Sequence, residues 1–292
     1  MTEAEALTLA ESGNLWLVDK AAGMTSHDVV WRLRRRLPDR PRVGHAGTLD
    51  PFATGLLVAL SGRATRLVRY LVGLDKRYEA RVRLGARSAT GDPEGPIEPS
   101  GVPPRREHLD AAIAGLTGSI DQQVPGLSAV RVDGERLYRR VRRGEDPERP
   151  TRSVVVHSLV VVDQHADLEW IDLQVHCSTG TYIRQLAVDL GEALGCGGYC
   201  ETLRRTHVGA MSVALAVAVD EIEVRHGRPL LDALAHLPTR HLTGPEAVDV
   251  GHGRPLEDQA TDGPLVLVAD GAVLAVSRAD GSGRLKAEVV LR

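Results

Sequence analysis

The residues best placed to do chemistry sit in one short stretch, Gly44-His45-Ala46-Gly47-Thr48-Leu49-Asp50-Pro51-Phe52-Ala53-Thr54-Gly55. It offers one carboxylate and one imidazole among turn-forming residues. Its three glycines let backbone approach backbone or a ligand closely. Pro51 forces Asp50 into an extended or turn conformation. An ionised aspartate held in such a loop can act as a nucleophile or as a general base. Taken as a bare Asp-Pro dipeptide, the same residue reads only as the start of a turn. The three cysteines, Cys177, Cys196 and Cys200, are too few and too uneven for a disulfide framework. Cys196 and Cys200 are four apart and His176 adjoins Cys177, but a zinc site usually draws four ligands in paired, close spacing. They read as buried, inert thiols, and no metal site is expected.

Several elements must position that loop. Leu15–Val18 reads as a short strand. Ser26 reads as the cap of a helix whose apolar stripe is Val29, Val30, Leu33 and Leu37, with Pro38 ending it and three arginines near its C-terminal dipole. Gly55–Leu60 predicts a buried strand and residues 63–72 a helix. Arg77–Leu84 alternates Tyr78, Ala80, Val82 and Leu84, a strand with one buried face. Residues 88–104 predict a long loop and 105–115 a helix. Val154–Val162, Trp170–His176 and Tyr199–Val208 predict strands. Thr181–Leu194 predicts a helix with Ile183, Leu186, Ala187, Leu190 and Leu194 on one face, closed by Gly195 and Gly197. Near residue 238 the pattern changes to three short strands (Leu265–Val268, Val273–Val276, Leu285–Leu291) with Asp-Gly turns. These separated strands and helices predict an α+β class, with a mixed sheet flanked by helices and loops rather than regular βαβ winding.

Composition sets the outer bounds. A chain of 292 residues with 42% apolar content can build a large domain and a small one. No apolar run approaches the roughly 20 residues of a membrane span, and the acidic N-terminus lacks a secretion pattern. A soluble, cytoplasmic protein is expected. The net charge of −3 does not suggest nucleic acid, but residues 31–87 hold 14 Lys+Arg against 4 Asp+Glu. Almost all of the basic residues are arginine, which binds phosphate as a fork. By itself such a run reads more readily as a solvated face than as an RNA surface.

The stretch around Asp50 closely resembles the GHxGTLDPxATG signature of TruB-type tRNA pseudouridine synthases. Five further segments resemble that family in the expected order: Asp19–Ser26 its N-terminal DKPxGxTS, Lys76-Arg77-Tyr78 its K-x-Y, Thr90-Gly91-Asp92 its T-G-D, Cys177–Arg184 its C-S-x-G-T-Y-I-R, and Leu203–Thr206 its L-R-R-T. The resemblance spans residues 15–212. It implies conversion of a uridine to pseudouridine in the tRNA T loop (position 55), with no metal or organic cofactor. It also implies a mainly antiparallel catalytic sheet in residues 1–237, a thumb-like insertion at 121–152 and a small PUA-like β domain at 238–292.

Roles carry over residue by residue. Asp50 matches the catalytic aspartate, which attacks a sugar or base carbon or takes the ribose C2′ proton. Arg184 matches the arginine that pairs with it, keeping the carboxylate charged and aimed. Tyr78 matches the active-site tyrosine, placed to stack on uracil or to move the C5 proton. His45 matches the histidine that fills the stack vacated by an extruded base, and Leu203 an apolar wall of the uracil pocket. Of Lys20 and Asp92, one would support the site and the other hold the extruded nucleotide or its loop. Arg131, Arg139, Arg140, Arg142 and Arg143 belong to an insertion with eight arginines and six acids, suited to phosphates of the T stem-loop.

Two departures stand out. Ala21 replaces the usual proline, and Leu127 and Arg131 stand where the insertion often has tyrosine and lysine, in a segment that is a residue shorter. The resemblance leaves three readings: a stand-alone tRNA-modifying enzyme, a tRNA-folding chaperone, and a guide-RNA-dependent relative. An intact Asp50, Tyr78 and Arg184 set favours catalysis. The basic insertion and short C-terminal domain argue against guide dependence; a monomer with no obligatory protein partner or guide RNA is expected.

Overall fold

The computed structural model describes residues 13–128, 130–132, 134–145, 147–257 and 262–291, without the side chain of Arg142. The acidic N-terminal dozen and Ala129 lie outside the described residues. In chain order the elements are β1 (Leu15–Lys20), α1 (Ser26–Arg36), β2 (Val43–His45), β3 (Thr54–Ser61), a 3-10 segment (Gly62–Tyr70), β4 (Lys76–Leu84), β5 (Ala86–Ser88), β6 (Ile97–Pro99) and α2 (Leu109–Gly115). Then come β7 (Gly118–Gln123), β8 (Arg131–Val132), β9 (Glu135–Arg136), α3 (Leu137–Arg142), β10 (Thr151–Gln164), β11 (Trp170–Cys177), α4 (Ile183–Ala193) and β12 (Gly198–Val208). Last are β13 (Met211–Ser212), β14 (Val217–Ala218), α5 (Leu230–Ala233), β15 (Thr239–His241), α6 (Gly244–Gly251), β16 (Leu256–Glu257), β17 (Pro264–Ala269), β18 (Ala272–Ala279) and β19 (Arg284–Val290).

The main sheet runs β14-β1-β3-β12-β4-β11-β10-β7, with β2 on β3 and β13 on β12. It is mixed and mainly antiparallel, as expected: β3 runs parallel to β12 and β14 parallel to β1, while β4, β10, β11 and β12 pair antiparallel. Alternation explains β4, which turns Lys76, Ala80, Val82 and Leu84 inward and leaves Arg77 and Glu79 exposed. On the outer face the Arg81 guanidinium grips Asp172 of β11 through two bonds of 2.7 Å and lies 4.1 Å over the Trp170 ring.

The chain packs as two compact units. One unit comprises Met1–Asp50, Leu56–Gly73 and Gly209–Arg292; the other comprises Pro51–Gly55 and Leu74–Val208. In the first unit, α1 covers the sheet with Val29 and Leu33 packed among Trp16, Val18, Leu57 and Ala59. Its cap is Thr25 rather than Ser26: the Thr25 hydroxyl and the Asp28 carboxylate form a reciprocal capping box. The C-terminal sheet, β15-β17-β18-β19-β16, has its own core around Leu265, Leu267, Leu274 and Leu285, closed by α6. It does not stand apart. Tyr70 donates to Glu288 (2.7 Å) and Arg66 to the Val290 carbonyl (2.8 Å), both from the 3-10 segment that the sequence predicts as an α-helix.

In the second unit, β7 and β10 pair from Gly118–Val156 through Gln123–Thr151. The segment between these paired strands, 124–150, carries β8, β9 and α3. One backbone position governs the β3–β12 junction. Gly55 has φ +98°, and a Cβ built there would overlap the carbonyl oxygen of Arg205. Gly55→Ala combines a left-handed penalty with a backbone clash and is expected to cost roughly 2–5 kcal/mol of stability. Urea unfolding of the variant measures this, and an unchanged midpoint would contradict so close an approach.

Candidate active site

In the first unit, two backbone clamps lead to Asp50. Ser26, at the first position of α1, donates its hydroxyl to the Leu49 carbonyl (3.1 Å) and accepts from the Leu49 N–H (2.8 Å). Both peptide groups of the residue before Asp50 are thus fixed by one buried serine. The sequence pattern missed this because a serine at a helix start reads first as a cap. Lys20 is fully buried, and its ammonium donates to the carbonyls of Ala21 (3.0 Å) and Met24 (2.7 Å). It braces the loop in which Ala21 replaces proline. His45 lies on β2 opposite Ala59, in a strand where a loop was expected.

In the second unit, the residues that follow Asp50 join the strand carrying Leu203. Thr54 pairs with Arg204 and Gly55 with Arg205, and the Thr54 hydroxyl reaches the Leu203 carbonyl at 3.4 Å. Leu203 is buried opposite Ala80, and Arg205 stands opposite Tyr78 on β4. Tyr78 is half-buried on the same face of β4 as Lys76.

Arg184 is almost fully buried on α4. It donates through Nη1 to Asp92 Oδ2 (2.9 Å) and the Thr90 carbonyl (3.0 Å), and through Nη2 to the Leu127 carbonyl (3.0 Å). Asp92 is equally buried; its other oxygen accepts from the Thr90 hydroxyl (2.5 Å) and the Glu94 N–H (3.0 Å). Both Asp92 oxygens are thus engaged within the protein. The T-G-D segment is a tight turn, with Gly91 at φ +73° and its carbonyl bound by the Cys200 N–H, so the carboxylate turns inward onto Arg184. The root of the insertion is pinned to the same helix. Gln122 accepts from the Tyr182 N–H (2.7 Å) and donates to its carbonyl (3.0 Å), capping α4 with a side chain from β7.

Lys76 is buried and donates to Thr179 (3.1 Å); burial and then the nearby Arg205 guanidinium push its pKa down to about 8. Opposite it, burial pushes the Cys177 thiol up to about 11, so this cysteine is a poor nucleophile and ligand at neutral pH. All three cysteines are buried and free.

The expected phosphate-binding arginines are distributed over the insertion. Arg131 and Arg139 are exposed. Arg140 pairs with Glu145 (2.8 Å), and Arg143 with Glu135 (2.5 Å) and Glu145 (2.7 Å). Arg142 lies on α3, its side chain outside the description.

The Arg184–Asp92 pair is dry and has well-formed hydrogen bonds, so removing one partner strands the other charge. Asp92→Ala is expected to cost roughly 3–5 kcal/mol, read as a fall in the urea or thermal midpoint. A loss below about 1 kcal/mol would mean that the pair is solvated.

Comparison with known proteins places this architecture. A profile described as TruB family pseudouridylate synthase (N terminal domain) matches residues 34–183, and one described as tRNA pseudouridylate synthase B C-terminal domain matches 184–229. A tRNA pseudouridine synthase B of Synechococcus sp. (strain WH7803) is 43% identical over 289 residues, covering 94% of this chain and 96% of that one. One from Thermobifida fusca is 45% identical over 278 residues, covering 89% and 92%. Among solved structures, an archaeal box H/ACA Nop10–Cbf5 complex contains a chain of the same fold, with TM-score 0.72, 22% identity and coverage of 98% of this chain and 88% of that one. With two family profiles meeting at residue 184, inside the helix that carries Arg184, and relatives matching over nearly the full length, the chain belongs to the TruB family of pseudouridine synthases.

Proposed function

We propose that this enzyme isomerises the T-loop uridine of tRNA to pseudouridine, alone and as a monomer, with Asp50 as the essential carboxylate. The observation that carries the reading is the clamp on the residue before Asp50: one buried serine, Ser26, holds both peptide groups of Leu49. Backbone fixed beside the carboxylate leaves less to be ordered when substrate arrives, which is what positioning catalysis uses.

The reaction breaks the bond from C1′ to N1 and forms one from C1′ to C5. The C5 proton leaves to solvent and N1 gains one, with no net oxidation. Asp50 attacks carbon or removes the C2′ proton; both roles need its ionised form. Arg184 supplies the counter-charge, and Asp92 holds Arg184. Tyr78 stacks on the extruded base or carries the C5 proton, Leu203 walls the uracil, and His45 fills the vacated stack. The insertion closes on the stem-loop phosphates. Relatives named as tRNA enzymes that match nearly end to end favour this reading over guide dependence, since the H/ACA likeness is one of fold. Among the described residues no helix is long and apolar enough to cross a membrane, in keeping with a cytoplasmic tRNA enzyme.

Release of tritium from 5-tritiated uridine in a bare T-loop hairpin tests the activity and its independence of a guide. No release with wild-type protein would remove the enzyme reading and leave a tRNA chaperone. Asp50→Asn is expected to abolish release while RNA affinity stays within a few-fold. Turnover within tenfold of wild type, about 1.4 kcal/mol, would take Asp50 out of its role. Arg139→Gln with Arg143→Gln is expected to weaken binding and to flatten its salt dependence by about 0.7–0.9 in the log–log slope per lost phosphate contact. An unchanged slope would place these arginines away from phosphate.

A further inference from the structure

On the solvent face of the second unit, three side chains from separate segments converge. Asp75 immediately precedes β4, His157 lies on β10 and His176 on β11. His157 Nε2 stands 3.2 Å from Asp75 Oδ2, and His176 Nε2 stands 3.9 Å from the same oxygen. The two rings are 4.7 Å apart, tilted by 47°. One possible ligand atom from each of the three lies within 4.8 Å of the other two.

The fold goes out of its way to build this group. In the β10–β11 ladder Val156 pairs with Cys177 and Ser158 with His176, so His157 is the extra residue of a bulge. A bulge re-aims a side chain at a cost in ladder hydrogen bonding. Here it delivers one imidazole beside another.

An ordinary ion pair accounts for His157 and Asp75, but not for His176, whose distance to the carboxylate exceeds hydrogen-bonding range. Two protonated rings side by side would repel. A cation shared by all three satisfies every group. In tetrahedral zinc coordination, with bonds of about 2.0–2.1 Å, neighbouring ligand atoms stand about 3.3–3.4 Å apart. The two distances to Asp75 bracket that value. All three side chains are between about a third and a half exposed, so small rotations can close the remaining gap, and water can complete the shell.

We propose that Asp75, His157 and His176 bind a divalent transition-metal ion of the zinc class through two imidazoles and one carboxylate. The ion clips the entry of β4 to β10 and β11. It is not part of the isomerisation: His176 pairs with Arg77, which alternation turns to the face opposite Lys76 and Tyr78. Arg77 beside the site opposes cation binding, so the affinity is micromolar rather than that of a structural zinc finger. The expectation of no metal site weighed His176 only beside the cysteines, not with Asp75 and His157, which are distant in the chain.

Untagged full-length protein titrated with zinc chloride by calorimetry is expected to bind one equivalent in the micromolar range. Asp75→Asn and His157→Asn should each weaken binding at least tenfold. Zinc should raise the thermal midpoint of wild type by several degrees and that of neither variant. Asp75 lies outside the strands, so its variant separates loss of a ligand from loss of the bulge. Cobalt(II) loading should give d–d bands without an intense thiolate-to-metal band in the near ultraviolet. Absence of saturable binding below millimolar zinc, binding indifferent to both substitutions, or a thiolate band would each overturn the proposal.

Discussion

The β3–β12 junction rests on one close approach, Gly55 against the backbone of Arg205. It is where β3 enters the sheet parallel to β12, within a set of antiparallel neighbours. Parallel neighbours need long crossovers, so little in the local sequence enforces this pairing. A residue without a side chain removes the clash that a Cβ would make with the Arg205 backbone. Once Gly55 is seated, Thr54 stands beside Arg204, and the next strand over presents Tyr78 opposite Arg205. The glycine that ends the signature therefore acts on the register of the sheet, and through it on where the chain emerges after Asp50.

Much of the fold was legible because periodicity and punctuation agree. Strands β4, β11 and β12 carry clear alternation, and α4 carries a continuous apolar stripe ended by glycine. The Asp270-Gly271 turn adopts positive φ at both residues, as its sequence demands. What stayed hidden depends on partners far away in the chain. Gly-Ser-Ile-Asp-Gln-Gln has no apolar rhythm, yet it forms β7 because β10 offers an edge. Residues 62–70 have a helical pattern, but they wind as a 3-10 segment. The division of the chain follows packing between its two ends, for which no local signal exists.

For the candidate site, motifs supply identities, and the hydrogen bonds add what each side chain holds. Motif matching picks out Lys20, Asp92 and Arg184, but what each one holds depends on partners distant in the chain. Lys20 and Asp92 turn inward and hold, respectively, the Ala21–Met24 loop and Arg184. The departure at Leu127 also changes meaning in three dimensions. Arg184 binds the backbone carbonyl there, a contact that leucine supplies as well as tyrosine. Loss of the aromatic ring removes a stacking surface and leaves the tether of the insertion to α4 intact.

The two kinds of charge in this protein answer to different physics. Arg184 and Asp92 are out of water, where an unmet charge is costly, so they hold one arrangement and order whatever depends on them. Arg140 and Arg143 share exposed glutamates in water, where such pairs are weak and screened. Such pairs open at little cost, while Glu135 and Glu145 hold the guanidinium groups close together. If the insertion takes RNA as proposed, it exchanges these internal pairs for phosphate contacts without disturbing the buried Arg184–Asp92 pair at its root.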